Sequence, residues 1–521
     1  MSPAPPLSAQ NRWERALRFF ERTSASTISG RWAITAAVLI YFALTALLAS
    51  RRLWHDELYT FYIATAPTLS RLWQEIHLDL NPPLEYLAVR VFTGMLGHGT
   101  YAVRLPSILA FLLGSLCLYR FAAIRISAWY GMLAMLVLWA SPFFYYATEA
   151  RPYALAIGFL GLTLLLWQRA TEEERSTISV WLLCAAVSAM MLSHIMSVLY
   201  VAPFCLAEAF RTYRRRRIDG RMWLALLLPC AIPFIYTHLM SRFESSAFPP
   251  IFQASARKIA ETYYGSLKLE ALPLLLAIGL AELVIPRSTP EEKKRAQAPK
   301  AVDLVLIAGL LAIPALVNLI LMCVHGAYFD RYAFPVAFGY ALSITYFLAR
   351  QTNGSRTAAI AASAVLLLFV CAFNLGPGLR QSVWGRRAEA GAKRAIDQIR
   401  PDLPLVAASG LTFLEMDHYG DPQTVARLYY LTDRRLALHY AGATIFEGMP
   451  ALKQYFPIRA NVAPFDQFTA EHKSFLVLGT PEYPEDWLLR ALVDTKAEIR
   501  YLSDLPGPYK DTQLYLVAIG Y

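Results

Sequence analysis

Apolar stretches about as long as a bilayer is thick punctuate this chain, and they constrain its fold more than anything else in it. They lie near residues 32–50, 101–119, 128–146, 153–168, 178–193, 197–210, 222–240, 270–286, 302–323, 332–349 and 358–376. Runs of roughly 15 to 22 apolar residues cross a hydrocarbon core as helices. Only 17% of the residues are charged and 56% are apolar, whereas a soluble domain carries about a quarter charged. A polytopic α-helical membrane protein with eleven spans is expected.

The basic residues orient those spans. Arg12, Arg15, Arg18, Arg22 and Arg31 precede the first run, so the segment 1–31 is expected in the cytoplasm. Alternation then places Arg120/Arg125, Arg169/Arg175, Arg214–Arg217, Lys293/Lys294/Arg295/Lys300 and Arg350/Arg356 on the same side. The net charge of +11 is therefore a topology signal, and no nucleic-acid partner is expected. No small-residue cleavage site follows the first run, so it reads as a span and not a removable signal. The setting expected is the inner membrane of a bacterium, with spans over 32–376.

The same alternation exports Arg51–Thr100, Tyr146–Arg151, Ser241–Lys268, Val324–Arg331 and the tail 377–521. Asp56, Glu57, Asp79, Glu149, Arg151, His325, Asp330 and Arg331 thus converge on one outer face. The tail reads as an extracytoplasmic α/β domain. Strands are expected at Pro404–Ser409, Arg435–Ala441, Ser474–Gly479, Ile499–Ser503 and Gln513–Gly520, and helices at Arg386–Arg400, Pro422–Leu431 and Pro484–Asp494. No Gly-rich phosphate loop and no GK[ST] sequence occurs, so no nucleotide cofactor is expected. The six cysteines all fall inside apolar runs without a CxxC, which argues against a disulfide framework or zinc knuckle.

The outer loop 51–100 carries the densest chemistry. Its segment Trp54-His55-Asp56-Glu57 directly follows the first span, and Asp79-Leu80-Asn81-Pro82-Pro83-Leu84 closes it. Adjacent carboxylates at a membrane edge are costly to desolvate and persist for function by default. Further along stand Arg104-Leu105 with Ser107, Glu149-Ala150-Arg151-Pro152-Tyr153, and Arg331-Tyr332 followed by Pro335. In order and spacing these resemble the protein O-mannosyltransferase superfamily, which has a DE pair followed by D-x-H-P-P-L and belongs to the GT-C glycosyltransferases. The likeness spans roughly the first 350 residues and is closer to the broad bacterial branch that includes aminoarabinose transferases. The chain departs from the pattern at Asn81, where mannosyltransferases have His, and lacks the Glu-Lys-Pro variant of the aminoarabinose branch.

The resemblance implies a GT-C fold and transfer of a sugar from a polyprenyl-phosphate donor to an acceptor hydroxyl on the outer face, with inversion. The acceptor would be a glycan, a lipid or a protein. Asp56 would be the base, with Glu57 holding the loop or orienting it; the alternative is a carboxylate capping the next helix. Such chemistry needs one base and one cation for the departing phosphate. Arg151 and Arg331, with Tyr332 a companion, are the candidates; a snorkelling Arg among headgroups is the competing reading. Asp79, Asn81 and Tyr153 are candidate acceptor or substrate contacts, Asp79 being equally readable as a turn residue before the prolines. A divalent metal at His194 and Asp79 is weighed against a plain hydrogen-bonded turn histidine. Two competing functions are a lipid or sugar-lipid carrier and a non-catalytic partner in envelope polysaccharide assembly. A carrier predicts ionisable residues at mid-membrane, where this sequence has few.

Overall fold

The computed structural model describes residues 28–520 apart from 80, 173–176, 241–246, 284–298, 381–390, 392–393, 397, 481–482, 485 and 506–511. Among the described residues each of the eleven apolar runs falls on helix, and the count of eleven spans is not confirmed. Among the described residues six helices are long and apolar enough to cross a membrane: Gly30–Leu48, Thr100–Arg125, Tyr153–Ala170, Gly220–His238, Ala301–Cys323 and Arg356–Arg380. The bent pair Ala128–Ala140 and Pro142–Thr148, at 82° to each other, makes a seventh if counted as one span. The others fall short for physical reasons. Thr177–Ser193 and Pro335–Gln351 have 17 residues each, about 26 Å of helix against a core of about 30 Å. The run near 197–210 breaks into Ser197–Tyr200 and Ala202–Arg215, and the second piece holds a buried Glu208–Arg211 ion pair at 2.7 Å. Helix Ala256–Leu283 carries Arg257, Lys258 and Glu261 near its start. The chain is a multi-pass membrane protein.

Two helices form the frame on which one end of the bundle is built. Thr100–Arg125 and Tyr153–Ala170 touch backbone to backbone. A Cβ on Gly158 would lie 2.5 Å from the Ala110 carbonyl oxygen, and one on Gly114 2.7 Å from that of Ile157. Small residues at such crossings let helices approach closely where the hydrophobic effect cannot drive association. The first helix carries Arg104 near its start; the second begins two residues after Arg151. Between them, the turn at Ser141-Pro142 swings the chain across the bundle end, so that Glu149-Ala150-Arg151 crosses its mouth.

The tail folds as a six-stranded sheet, β1 (Leu405–Ala407), β2 (Leu428–Thr432), β3 (Asn461–Pro464), β4 (Ser474–Gly479), β5 (Glu498–Asp504) and β6 (Gln513–Ala518), in the order β3-β2-β1-β4-β6-β5. β3, β2, β1 and β4 run parallel, and β6 is antiparallel to both β4 and β5. The central strands are buried on both faces, as parallel strands covered by helices are. Arg435–Ala441, read from sequence as a strand, is helix Arg434–Ala441: Asp433 accepts the Leu436 amide at 2.9 Å and Gly442 ends it at φ 61°. The helix expected over Pro422–Leu431 stops at Ala426, and its remainder is β2. The helix expected at Arg386–Arg400 lies mostly outside the described residues.

One face of the sheet does not stop at the tail. Leu405, Ala407, Leu476, Leu478 and Leu514 share one apolar cluster with Leu53, Leu58, Tyr62 and Ile63 of the first outer loop. The tail therefore packs on the same bundle end that gathers the candidate residues.

Candidate active site at one end of the bundle

The site begins where the first span runs out of turns. Its last carbonyls have no helical partners, and Arg104 supplies them, donating to the oxygens of Ala49 (2.8 Å), Arg51 (2.6 Å) and Arg52 (2.8 Å). The same guanidinium grips Glu57 through two parallel bonds, Nε to Oε1 at 2.7 Å and Nη2 to Oε2 at 2.5 Å, with both side chains fully buried. Glu57 in turn accepts the amides of Trp54 (3.2 Å) and Ala150 (2.8 Å). Burial works against its charge, but Arg104 outweighs that and lowers its pKa. Glu57 is thus the carboxylate that ties down the start of helix His55–Ala64, and Asp56 is left out of the cap.

Asp56 faces a positive wall. Burial alone would raise its pKa; Arg151, then His55, and finally Arg331 bring it down to about 2. Arg151 also donates to the Asp56 backbone oxygen at 3.1 Å and clasps Asp79 with both terminal nitrogens, at 2.7 and 3.0 Å. Tyr86 donates its hydroxyl to Asp79 at 2.7 Å, and the Asn81 amide donates to the Asp79 backbone oxygen at 3.3 Å. Arg331 differs from Arg151: it lies 4.2 Å over the Phe329 ring and 5.5 Å over that of Tyr153. Its Nε is buried without a partner among the described residues. The His194 ring sits between Tyr153 (5.2 Å) and Tyr332 (5.6 Å). The structure therefore gathers Asp56, Glu57, Asp79, Asn81, Arg151, Tyr153, His194, Arg331 and Tyr332 at one end of the bundle, linked by hydrogen bonds, ring contacts or mutual charge effects.

A divalent ion at His194 and Asp79 does not fit these surroundings. Both Asp79 oxygens are committed to Arg151. Burial, Arg331 and Arg151 push the His194 pKa down to about 3, and a field that repels a proton repels a metal cation as well. Among the described residues no group of three or more His, Cys, Asp or Glu could hold a metal.

Three further members of this cluster have roles that sequence reasoning did not assign. Arg104 stood only as part of a motif, yet it is the clamp. Glu149 accepts the Trp54 indole N–H at 2.9 Å, and burial followed by the Glu57 charge raises its pKa to about 7. Glu85 is wholly buried, and burial lifts it to about 8. A carboxyl at a membrane edge, within or directly beside a quoted motif, was the available signal for both.

Comparison with known proteins bears on the whole assembly. Residues 80–240 match the family model described as dolichyl-phosphate-mannose-protein mannosyltransferase. That stretch includes Asn81, Arg104, Arg151, Tyr153 and His194, and excludes Asp56, Asp79 and Arg331. No curated protein matches the sequence. Among solved structures, ArnT from Cupriavidus metallidurans in the apo state is similar at a TM-score of 0.57 and 14% identity, covering 93% of this chain and 98% of that one. The same protein bound to undecaprenyl phosphate gives 0.54 and 14%, covering 92% and 98%. Along nearly its whole length the chain has a fold similar to that of ArnT, and over residues 80–240 its sequence matches the mannosyltransferase family model.

Proposed function

We propose that this is a membrane glycosyltransferase that takes a sugar from a polyprenyl-phosphate carrier and passes it, with inversion, to an acceptor hydroxyl at the outer rim of the bilayer. The observation that carries the reading is a buried carboxylate, Asp56, set among cations at one end of the bundle. Arg151 donates to its backbone oxygen at 3.1 Å, and Arg331, at the same end, keeps its Nε without a partner among the described residues. The ArnT structure holding undecaprenyl phosphate and the mannosyltransferase match support a lipid-phosphate donor. The far end of the bundle carries Arg125, Arg169, Arg350 and Arg356, which supports a cytoplasmic location there and an outward-facing site.

In this reading Asp56 accepts the proton of the acceptor hydroxyl as its oxygen attacks the anomeric carbon. The bond from that carbon to the phosphate oxygen breaks, and polyprenyl phosphate departs as an anion. Arg331 meets it, assisted by Tyr332, while Arg151 keeps Asp79 and the Asp56 backbone in place. No acid is needed, because the leaving group is already a stable anion. The donor's negative charge also offsets the two guanidiniums, so donor binding raises the pKa of Asp56 and makes it a better base when it is needed.

The test is transfer from synthetic polyprenyl-phosphate sugars in detergent by wild type and Asp56→Asn. The variant should fold as wild type does and lose about 10²- to 10⁴-fold in kcat, the usual value of a positioned base. Undiminished transfer by Asp56→Asn sinks the proposal. So does protein-dependent lipid movement across vesicles with no transfer from any donor.

A further inference from the structure

We infer that His55 is the positioning residue for Asp56 and that the α/β unit holds His55 in place, making that unit a working part of the site. The inference rests on the reading of Asp56 as base. His55 Nδ1 lies 3.2 Å from Asp56 Oδ1. The carboxylate is ionised at any physiological pH and can only accept, so Nδ1 carries the hydrogen. Nε2 is buried without a partner among the described residues. One Asp56 oxygen is thereby fixed, which leaves the other to face the acceptor.

Two of the groups that hold His55, one at its ring and one at its backbone amide, belong to the tail. The ring lies 4.9 Å from Tyr59 of its own helix and 5.5 Å from Phe446 of the α/β unit, edge-on at 81°. The His55 amide donates to Glu415 Oε1 at 3.3 Å. Phe446 is buried against Gly410, where a Cβ would come within 2.4 Å of its ring; the absence of a side chain there sets how close the ring can sit. Gly410 opens helix Gly410–Tyr419, which Ser409 caps at 3.2 Å and which follows β1 directly. That helix is pinned to the outer loop on both sides of His55. The Leu53 amide donates to the Tyr419 hydroxyl at 2.8 Å, and the Tyr62 hydroxyl meets His418 Nδ1 at 2.7 Å. A continuous packed path therefore runs from the sheet, through one helix and one phenyl ring, to the base.

The experiment measures kcat and donor KM of the full chain in detergent with a polyprenyl-phosphate sugar that wild type turns over. The variants are His55→Ala, His55→Asn, Phe446→Ala and Asp56→Asn, each checked for wild-type unfolding behaviour. Asn can present its amide N–H where Nδ1 stood. His55→Ala should lower kcat by about 100-fold, the cost of a reacting group misplaced by an ångström, with donor KM unchanged. His55→Asn should restore most of it, and Phe446→Ala should lower kcat in the same sense. Wild-type kcat in His55→Ala, or His55→Asn as slow as His55→Ala, overturns the role of His55. Wild-type kcat in Phe446→Ala overturns the role of the α/β unit. Full activity in Asp56→Asn instead overturns the reading of the base on which the inference rests, whatever the His55 variants do.

Discussion

Replacing Glu57 with Gln preserves shape and removes one charge, and the structure says how much that should cost. Glu57 and Arg104 are both fully buried, so the variant leaves a guanidinium without its counter-charge. Breaking a buried pair in this way costs about 3–5 kcal/mol. Replacing both partners by apolar residues is often harmless elsewhere, but not here. Arg104 also serves the carbonyls of Ala49, Arg51 and Arg52, and Glu57 the amides of Trp54 and Ala150. Glu57→Leu with Arg104→Met strands those five groups, at about 1–3 kcal/mol for each that stays dry. The double variant should therefore remain at least about 3 kcal/mol below wild type. The assay is equilibrium unfolding in mixed detergent–SDS micelles followed by tryptophan fluorescence. Because the folded-state pKa of Glu57 lies below its ordinary 4.5, its contribution is present above that pH and is lost as pH falls through the folded value. A Glu57→Gln variant within about 1 kcal/mol of wild type, the worth of an exposed pair, would refute the clamp.

Other outcomes follow from the same geometry. Arg331→Met should raise donor KM by roughly 10- to 100-fold, since charge-assisted hydrogen bonds are worth about 1.5–3 kcal/mol; Arg331→Lys should fall between, and an unchanged KM counts against the phosphate role. The acid limb of kcat should lie at higher pH than that of kcat/KM, because bound donor raises the pKa of Asp56 from about 2; coincident limbs would contradict this. Glu149, raised from 4.5 to about 7, keeps a proton in the folded state that the unfolded chain has released. Stability should thus decline by about 3 kcal/mol as pH climbs from 4.5 to 7, and Glu149→Gln should flatten that slope in urea or SDS titrations at fixed pH.

The convergence of polar residues on one end was readable from apolar runs and basic loops, because span length and charge asymmetry are local properties of the chain. The number of spans was less readable. Helices of 17 residues and a run broken at Val201 differ little in composition from the longer helices, so apolar runs alone do not fix the count. In the tail, β1, β4, β5 and β6 were visible as apolar or alternating runs. β2 was not, since Leu428–Thr432 continues a helical pattern from Pro422 and owes its strand to parallel pairing with β1 and β3. At the site, residue types and motif spacing brought out Asp56, Arg151 and Arg331. The division of labour did not show. That Glu57 ties the loop, that Arg151 is spent on Asp79, and that Arg331 keeps a free donor are facts of three-dimensional partnership between residues 47 to 178 positions apart.

The glycine crossing of helices Thr100–Arg125 and Tyr153–Ala170 has a reach beyond its own position. Arg104 lies near the start of one rod and Arg151 two residues before the other, so the spacing of their guanidiniums depends on that apolar crossing. A methyl group added at Gly158 or Gly114 would pry the rods apart and tilt both cations. Inactivating lesions should accordingly surface in greasy, uncharged stretches that no inspection of the polar rim would single out.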